Sequence, residues 1–531
     1  MTFMHDSLRF VAAAACAVGL LAGCGGGGDI NISADNNSVV NDNSTSTGGG
    51  SNNPCANYTD PDTNTLRQGS FDGTNCTYGA SFVSADNPLV VDLTIPFITG
   101  VHIFQNSLVV GENDDGTNPA FVPQTATLTI EAGSTLAWID NTAYLMVNRG
   151  SQIIARGSQT APITLTATRD AVNNLAQPND VQLWGGVILN GRGITNKCDD
   201  AQRANDTCDQ PSEGAPANYG GNDNADNSGV LEYVVVKHTG AETAPGDEIN
   251  GITFNAIGSG TTVNNIEVYS TYDDGVEFFG GAVVVNNLVA LYARDDSIDY
   301  SDGWVGGVNN ALVVHWETDG NRCIEGDNQG TVFDALPQTN PTVRNMTCII
   351  SGWDGGTHGD SEGPLLRRGV ASQLIDSIIT DRYARLNGPS GSGNECLELN
   401  DDETYTNAAS LSSIKSVLIA CQEPTKGCRL FNPDETCADP NFANGDTVAE
   451  WVLDTGVGGY AQNTNNVIIA ASDSGALQIL DGIYTPTAFA DDLGNPLTIT
   501  PEGDHIGAVT RADDWTANWV FGLDTLWFPN P

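Results

Sequence analysis

The feature that most constrains this chain is a repeat. Val263-Asn264-Asn265-Ile266 recurs as Val285-Asn286-Asn287-Leu288 and again as Val308-Asn309-Asn310-Ala311, at steps of 22 and 23 residues. Looser copies stand at Leu231-Glu232-Tyr233-Val234, Val343-Arg344-Asn345-Met346 and Leu374-Ile375-Asp376-Ser377. Upstream, Thr129-Ile130-Glu131-Ala132-Gly133-Ser134 is echoed by Met146-Val147-Asn148-Arg149-Gly150-Ser151 at a step of 17. Self-similarity on this scale means stacked units. Each copy is a short β-branched run cut by Asn, Asp or Gly, and no stretch between copies has the length and period of a helix. The pattern predicts an all-β solenoid in which each turn lies about 4.8 Å above the last, like residues stack in columns, and Val, Ile and Leu fill the interior. Stacked Asn side chains would then bond along the column as amide ladders. A propeller is the alternative architecture, but its blades need about 40 to 45 residues each, nearly twice this step. The coil is expected over residues 124–425, interrupted at 191–228 by an insertion rich in Asn, Asp and Gly. A disulfide-containing segment or cap, 55–123, precedes it, and residues 426–531 would complete or cap it.

The start of the chain reads as a leader rather than as fold. An apolar run from Phe10 to Leu21 ends in Leu21-Ala22-Gly23-Cys24, the pattern of a signal peptide (1–23) whose cleavage leaves Cys24 for acylation. The run is shorter than the roughly 20 residues of a spanning helix. Residues 24–54 then hold Gly, Ser, Asn, Thr and Asp with little to bury, a tether with a reach of roughly 30 Å. The expected location is the outer membrane, at the cell surface, with membrane attachment through the lipid alone.

Twelve cysteines occur in the chain, and setting aside Cys16 and Cys24 leaves an even number for an oxidising compartment. Sequence-near pairing would join Cys55 with Cys76, Cys198 with Cys208, Cys323 with Cys348, Cys396 with Cys421, and Cys428 with Cys437. Cys323-Ile324-Glu325 and Cys396-Leu397-Glu398 each precede their second cysteine by the same interval of 25 residues. No Cys/His cluster has zinc spacing.

A balance of 20 basic against 66 acidic residues gives a formal charge of -46, which argues against nucleic acid as a partner. Asp273, Asp274 and Glu277 recur 22 residues later as Asp295, Asp296 and Asp299, so a coil would stack them. Carboxylates about 5 Å apart raise one another's pKa unless a cation or solvent separates them. Two readings stay open: a Ca²⁺ site built across rungs, or hydrated acids at a turn. Asp60-Pro61-Asp62-Thr63-Asn64 starts like a calcium loop but has Thr65 and Phe71 where Gly and Glu are required.

Trp184-Gly185-Gly186, Tyr219-Gly220-Gly221-Asn222-Asp223, Glu248-Ile249-Asn250-Gly251, Gly258-Ser259-Gly260-Thr261 and Asp273-Asp274-Gly275-Val276-Glu277-Phe278-Phe279-Gly280-Gly281 make the chain resemble right-handed parallel β-helix lipoproteins and secreted proteins of Gram-negative bacteria. Most of these carry no assigned activity, so the resemblance implies a fold and a compartment but no catalytic residues. Two functions remain. The first is a non-catalytic surface module, calcium-stabilised, that binds a glycan or an outer-membrane protein as a receptor accessory or adhesin. The alternative is a calcium-assisted polysaccharide lyase or glycoside hydrolase. For either, Arg294 and Arg322 with Trp304, Trp316 and Trp353 are the expected ligand-binding set, since aromatic faces and cations suit sugar rings and uronates, although the tryptophans would suit packing between rungs equally well. The polygalacturonase pattern is not met: Gly356-Thr357-His358-Gly359 replaces Gly-His-Gly, and no Arg-x-Lys follows.

Overall fold

The computed structural model describes residues 53–528 apart from 117, 119, 245–246, 382–393, 470–478 and 491–494. The leader, Cys24 and nearly all of the tether lie outside the described residues.

The repeats become rungs. Gly229–Thr239, Thr262–Thr271, Val284–Ala293, Gly307–Val314 and Thr342–Ile349 pair in parallel, each on the next. Their register aligns Val263, Val285, Val308 and Val343, the equivalence expected from sequence. A second, ten-stranded parallel sheet of short strands runs alongside, from Leu108–Val110 to Lys426–Cys428, with successive coil turns as neighbours. The architecture is a parallel β-helix.

The paired asparagines explain how one long strand serves two sides of the coil. The second Asn of each pair is left-handed, with φ of 53°, 60° and 58° at Asn265, Asn287 and Asn310. Asn tolerates that conformation better than other residues with a Cβ. The bend lets Val263 and Ile266, on either side of the pair, both enter the interior, as do Val285 and Leu288. The amides form two ladders: Asn286 donates to Asn264 at 2.9 Å and Asn309 to Asn286 at 2.9 Å, while Asn287 donates to Asn265 at 2.9 Å and Asn310 to Asn287 at 2.8 Å.

The coil is longer than its repeats suggest. Cys76–Tyr78 pairs in parallel with Val101–Phe104, which pairs with Thr135–Trp138, so rungs begin well before residue 124. At the other end Val467–Ile468 adds to Leu418–Ala420, beyond residue 425. All five cysteine pairs are joined as the spacing suggested. Cys323–Cys348 and Cys396–Cys421 are fully enclosed and staple a short strand to the long-strand side of the same turn.

Residues 426–468 continue the coil through Lys426–Cys428 and Val467–Ile468, whereas residues 500–528 do not join its sheets. They run back along its outer side as a strap. Ser416 Oγ donates to Thr500 O at 2.6 Å, and the Asp376 carboxylate accepts from Glu502 and Gly503 N–H at 2.7 and 3.0 Å. Ala508 N–H reaches Thr347 Oγ1 at 2.8 Å, Phe521 N–H reaches Glu267 at 2.7 Å, and Trp527 Nε1–H reaches His315 O at 2.9 Å. Ile506, Val509, Trp519 and Phe528 pack on Val235, Val289, Leu291, Leu312, Val314 and Ile349. The cause lies in the long strands, which are apolar outward as well as inward after the Asn bend and so need cover on both faces.

Candidate functional site: an acidic column on the short-strand sheet

The short strands alternate strictly. Ile252 and Phe254, Val276 and Phe278, and Ile298 and Tyr300 point into the core, so the residues between them face outward. Following register, one outward column reads Val109, Met146, Ile188, Thr253, Glu277, Asp299, Glu325, Leu365, Glu398, Lys426. It changes character midway. Val109, Met146 and Ile188 are apolar and sit under Ala215 and Ala217 of the insertion, together with Tyr144 and Ile249. Below Thr253 the column turns acidic.

A second acidic column flanks it at the preceding turn. Asp274 N–H donates to Asn250 Oδ1 at 3.2 Å, Asp296 N–H to Asp274 Oδ1 at 2.9 Å, and Arg322 N–H to Asp296 Oδ1 at 2.9 Å. Each side chain therefore caps the backbone of the next rung. Asn250 Nδ2 also donates to Glu277 Oε2 at 2.6 Å.

Half of these acids are buried, and Asp273, Asp295 and Asp299 are partly exposed. Asp274, Glu277 and Asp296 are 6%, 8% and 4% exposed. Burial, followed by the neighbouring carboxylates, pushes Asp273, Asp274, Glu277, Asp296 and Asp299 well above the usual range. Among the contributors is Glu213, which the insertion brings against Glu277. Carboxylate oxygens of Asp273, Asp274 and Asp295, of Asp274, Glu277 and Asp299, and of Asp296, Asp299 and Glu325 lie within 4.8 Å of one another in each group. Among the described residues no Lys or Arg pairs with Asp273, Asp274, Glu277, Asp296 or Asp299. A hard, all-oxygen donor set with no cation in direct contact, only Arg322 and Arg367 acting at a distance on Asp296 and Asp299, suits Ca²⁺ or Mg²⁺ rather than a softer metal, and a bound divalent ion would return these groups to their ionised state.

Further along the same face the acids carry their own cations. Arg322 is paired closely with Glu362 and lies 3.2 Å from Glu398. Lys426 bridges Glu395 and Glu398, the latter at 3.6 Å. Burial, then Glu398, raises Glu395 to about 7, whereas Arg322 and Lys426 outweigh burial at Glu398 and lower it. Arg367 pairs with Glu325 and with Asp327 at 3.0 Å, and Arg368 reaches Asp327 at 2.6 Å.

The expected ligand-binding set does not assemble. Trp304 is wholly buried inside the coil, stacked at 4.0 Å and 7° on Phe278. Asp302 and Gly303, both left-handed at φ 59° and 89°, break the in/out alternation after Ser301 and turn the indole inward. Trp316 packs edge-on against Tyr292 at 4.7 Å, on the strap side. Trp353 is half-buried in the loop before Ser361, its carbonyl accepting Ser361 N–H at 3.0 Å. Arg294 lies 3.5 Å from Asp319 and donates to Asn179 O at 2.9 Å, whereas Arg322 is in the Glu362 cluster. His358 pairs with Asp295 at 3.2 Å.

The sequence reading missed Glu213, Glu325, Asp327, Glu362, Glu395 and Glu398. For two of them a signal was present: the twin Cys-x-Glu pattern places Glu325 and Glu398 in one outward column, with Leu365 between them.

Fold and face together define a parallel β-helix with an acid-lined short-strand sheet. A family profile described as a pectate-lyase-like β-helix domain matches residues 109–454, and the chain belongs to that family. No curated protein and no solved structure matches it.

Proposed function

We propose that this protein is a non-catalytic envelope binder. It is held through lipid on Cys24 at the outer membrane surface, and its acidic column takes up Ca²⁺ and through it an anionic glycan or an outer-membrane partner. The observation that carries this reading is the clustering of the carboxylates from Asp273 to Asp299, buried at Asp274, Glu277 and Asp296 and partly exposed at Asp273, Asp295 and Asp299, with no cationic side chain paired to Asp273, Asp274, Glu277, Asp296 or Asp299 among the described residues. A divalent ion there keeps ligand valence free for a carboxylate of the glycan.

A calcium-assisted lyase or hydrolase is the second reading, favoured by the family match and by arginines bordering the column. A lyase must neutralise a uronate and remove its proton. Arg294, Arg322, Arg367, Arg368 and Lys426 are each engaged by this chain's own carboxylates, which ranks binding above cleavage.

The two readings separate when purified protein is incubated with uronate and neutral glycans, with Ca²⁺ or with chelator. Retention on a glycan that chelator abolishes, without products, supports the binder. Unsaturated ends or new reducing ends would overturn it. The anchor has its own test: Cys24→Ala should move the protein from the membrane to the soluble fraction and abolish labelling by a radioactive fatty acid.

A further inference from the structure

On the strap side one outward column reads Thr164, Val235, Glu267, Val289, Leu312, Thr347, Ile378, Leu418, Val467. Glu267 is its only ionisable residue. It is 0% exposed, between Val235 and Val289, where a valine would fit the column. One carboxyl oxygen accepts Phe521 N–H from the strap at 2.7 Å, and the other, equally buried, has no hydrogen-bond partner. Such an arrangement costs stability relative to an apolar residue, so its presence calls for a role.

The groups around it leave that carboxyl without a counter-charge in contact. Lys237, on the neighbouring strand, spends its ammonium on Asp170 at 2.6 Å and lies over the Phe521 ring at 4.0 Å. From its own strand comes Tyr269, against which His238 and Phe521 stand edge-on at 5.7 and 4.9 Å. The next strand offers Val289 and Tyr292, and the strap itself brings Asp524 near Tyr269. Of these charges only Lys237 acts on Glu267, attracting it without an ion-pair contact.

We propose that Glu267 is a proton-operated latch: with its proton it holds the strap closed, and loss of that proton releases residues 515–528 from the long-strand face. This goes beyond the proposed binding function and concerns the opposite side of the coil. Burial raises the carboxyl well above 4.5 in the closed state, only partly offset by the Phe521 N–H and Lys237. The sign follows. The closed state keeps a proton that the open state has lost, so closure is fully favoured in acid and weakens as pH rises above the ordinary carboxyl range. Release exposes Val235, Val289, Leu291 and Leu312 as one apolar surface.

The test is hydrogen exchange of peptides covering 515–528 in the full protein, corrected for intrinsic rates, from about pH 5 to about pH 9. Strap opening should rise by up to about tenfold per pH unit while peptides of the coil interior stay protected. Glu267→Gln keeps an acceptor for Phe521 N–H, and Glu267→Val matches the column; both should flatten the profile. An unchanged slope in either variant overturns the latch. So does loss of strap and coil protection together in the unmodified protein, which also covers the case in which neither variant folds.

Discussion

The coil shows two outward faces built on the same parallel ladder, and they have opposite fates. On the long-strand side the outward column is mainly Val, Leu and Ile, with Glu267 its one ionisable residue, and the chain's own strap covers it. On the short-strand side the outward column starts apolar under the insertion and continues as Glu277, Asp299 and Glu325. Backbone geometry is common to both. What differs is the side chain placed once per turn, and stacking multiplies that choice: a single apolar position becomes a stripe that must be covered, and a single acidic position becomes a charge that must be neutralised.

The strongest way to break the contrast is to write one face into the other. Leu312→Asp puts an unpaired charge under the strap and should cost about 3 to 5 kcal/mol, read as a fall in chemical-denaturation midpoint. The converse exchange, Asp299→Asn, should stabilise the calcium-free protein by relieving carboxylate repulsion. Next in size is the metal itself. Ca²⁺ at about a hundred times its dissociation constant should stabilise the fold by about 2.7 kcal/mol. Asp299→Asn should shrink that response, and Leu365→Ala should not. A melting temperature indifferent to chelator would mean the acids are protonated or hydrated instead.

Asn287→Ala removes the middle of an amide ladder and strains a left-handed position, so a loss of about 1 to 2 kcal/mol is expected. The smallest effect is in pH. The folded state holds a proton on Glu395 up to about 7, whereas its ordinary value is 4.5, so stability falls as pH rises through that window. Glu395→Gln should remove this part of the slope; an unaltered melting profile would deny the shared burial of Glu395 and Glu398.

Much of the coil was legible in the sequence because its determinants are local and repeat. The Val-Asn-Asn steps gave register, interior and amide ladders at once, and the sequence-near cysteines gave all five bridges. The strap was not legible, since Ile506 to Phe528 follow no repeat and answer to a face assembled from strands hundreds of residues earlier. The acids were found, yet their burial was not, because part of their cover comes from the 191–228 insertion. Trp304 packs between rungs rather than on a ligand face, because two left-handed residues, Asp302 and Gly303, end the in/out alternation before it.

The strap also sets an order of events in time. A solenoid adds turns from neighbour to neighbour, so the coil from Cys76 to Ile468 has its partners as soon as each turn emerges. Its long-strand face does not. That surface waits for residues 500–528, synthesised after the coil, which then reach back across rungs as distant as Ser416 and Glu267. Until they arrive, a nearly complete coil carries an open apolar stripe and is prone to association. After they dock, turns that otherwise touch only their neighbours are tied into one length, so fraying at a single rung must also lift the strap.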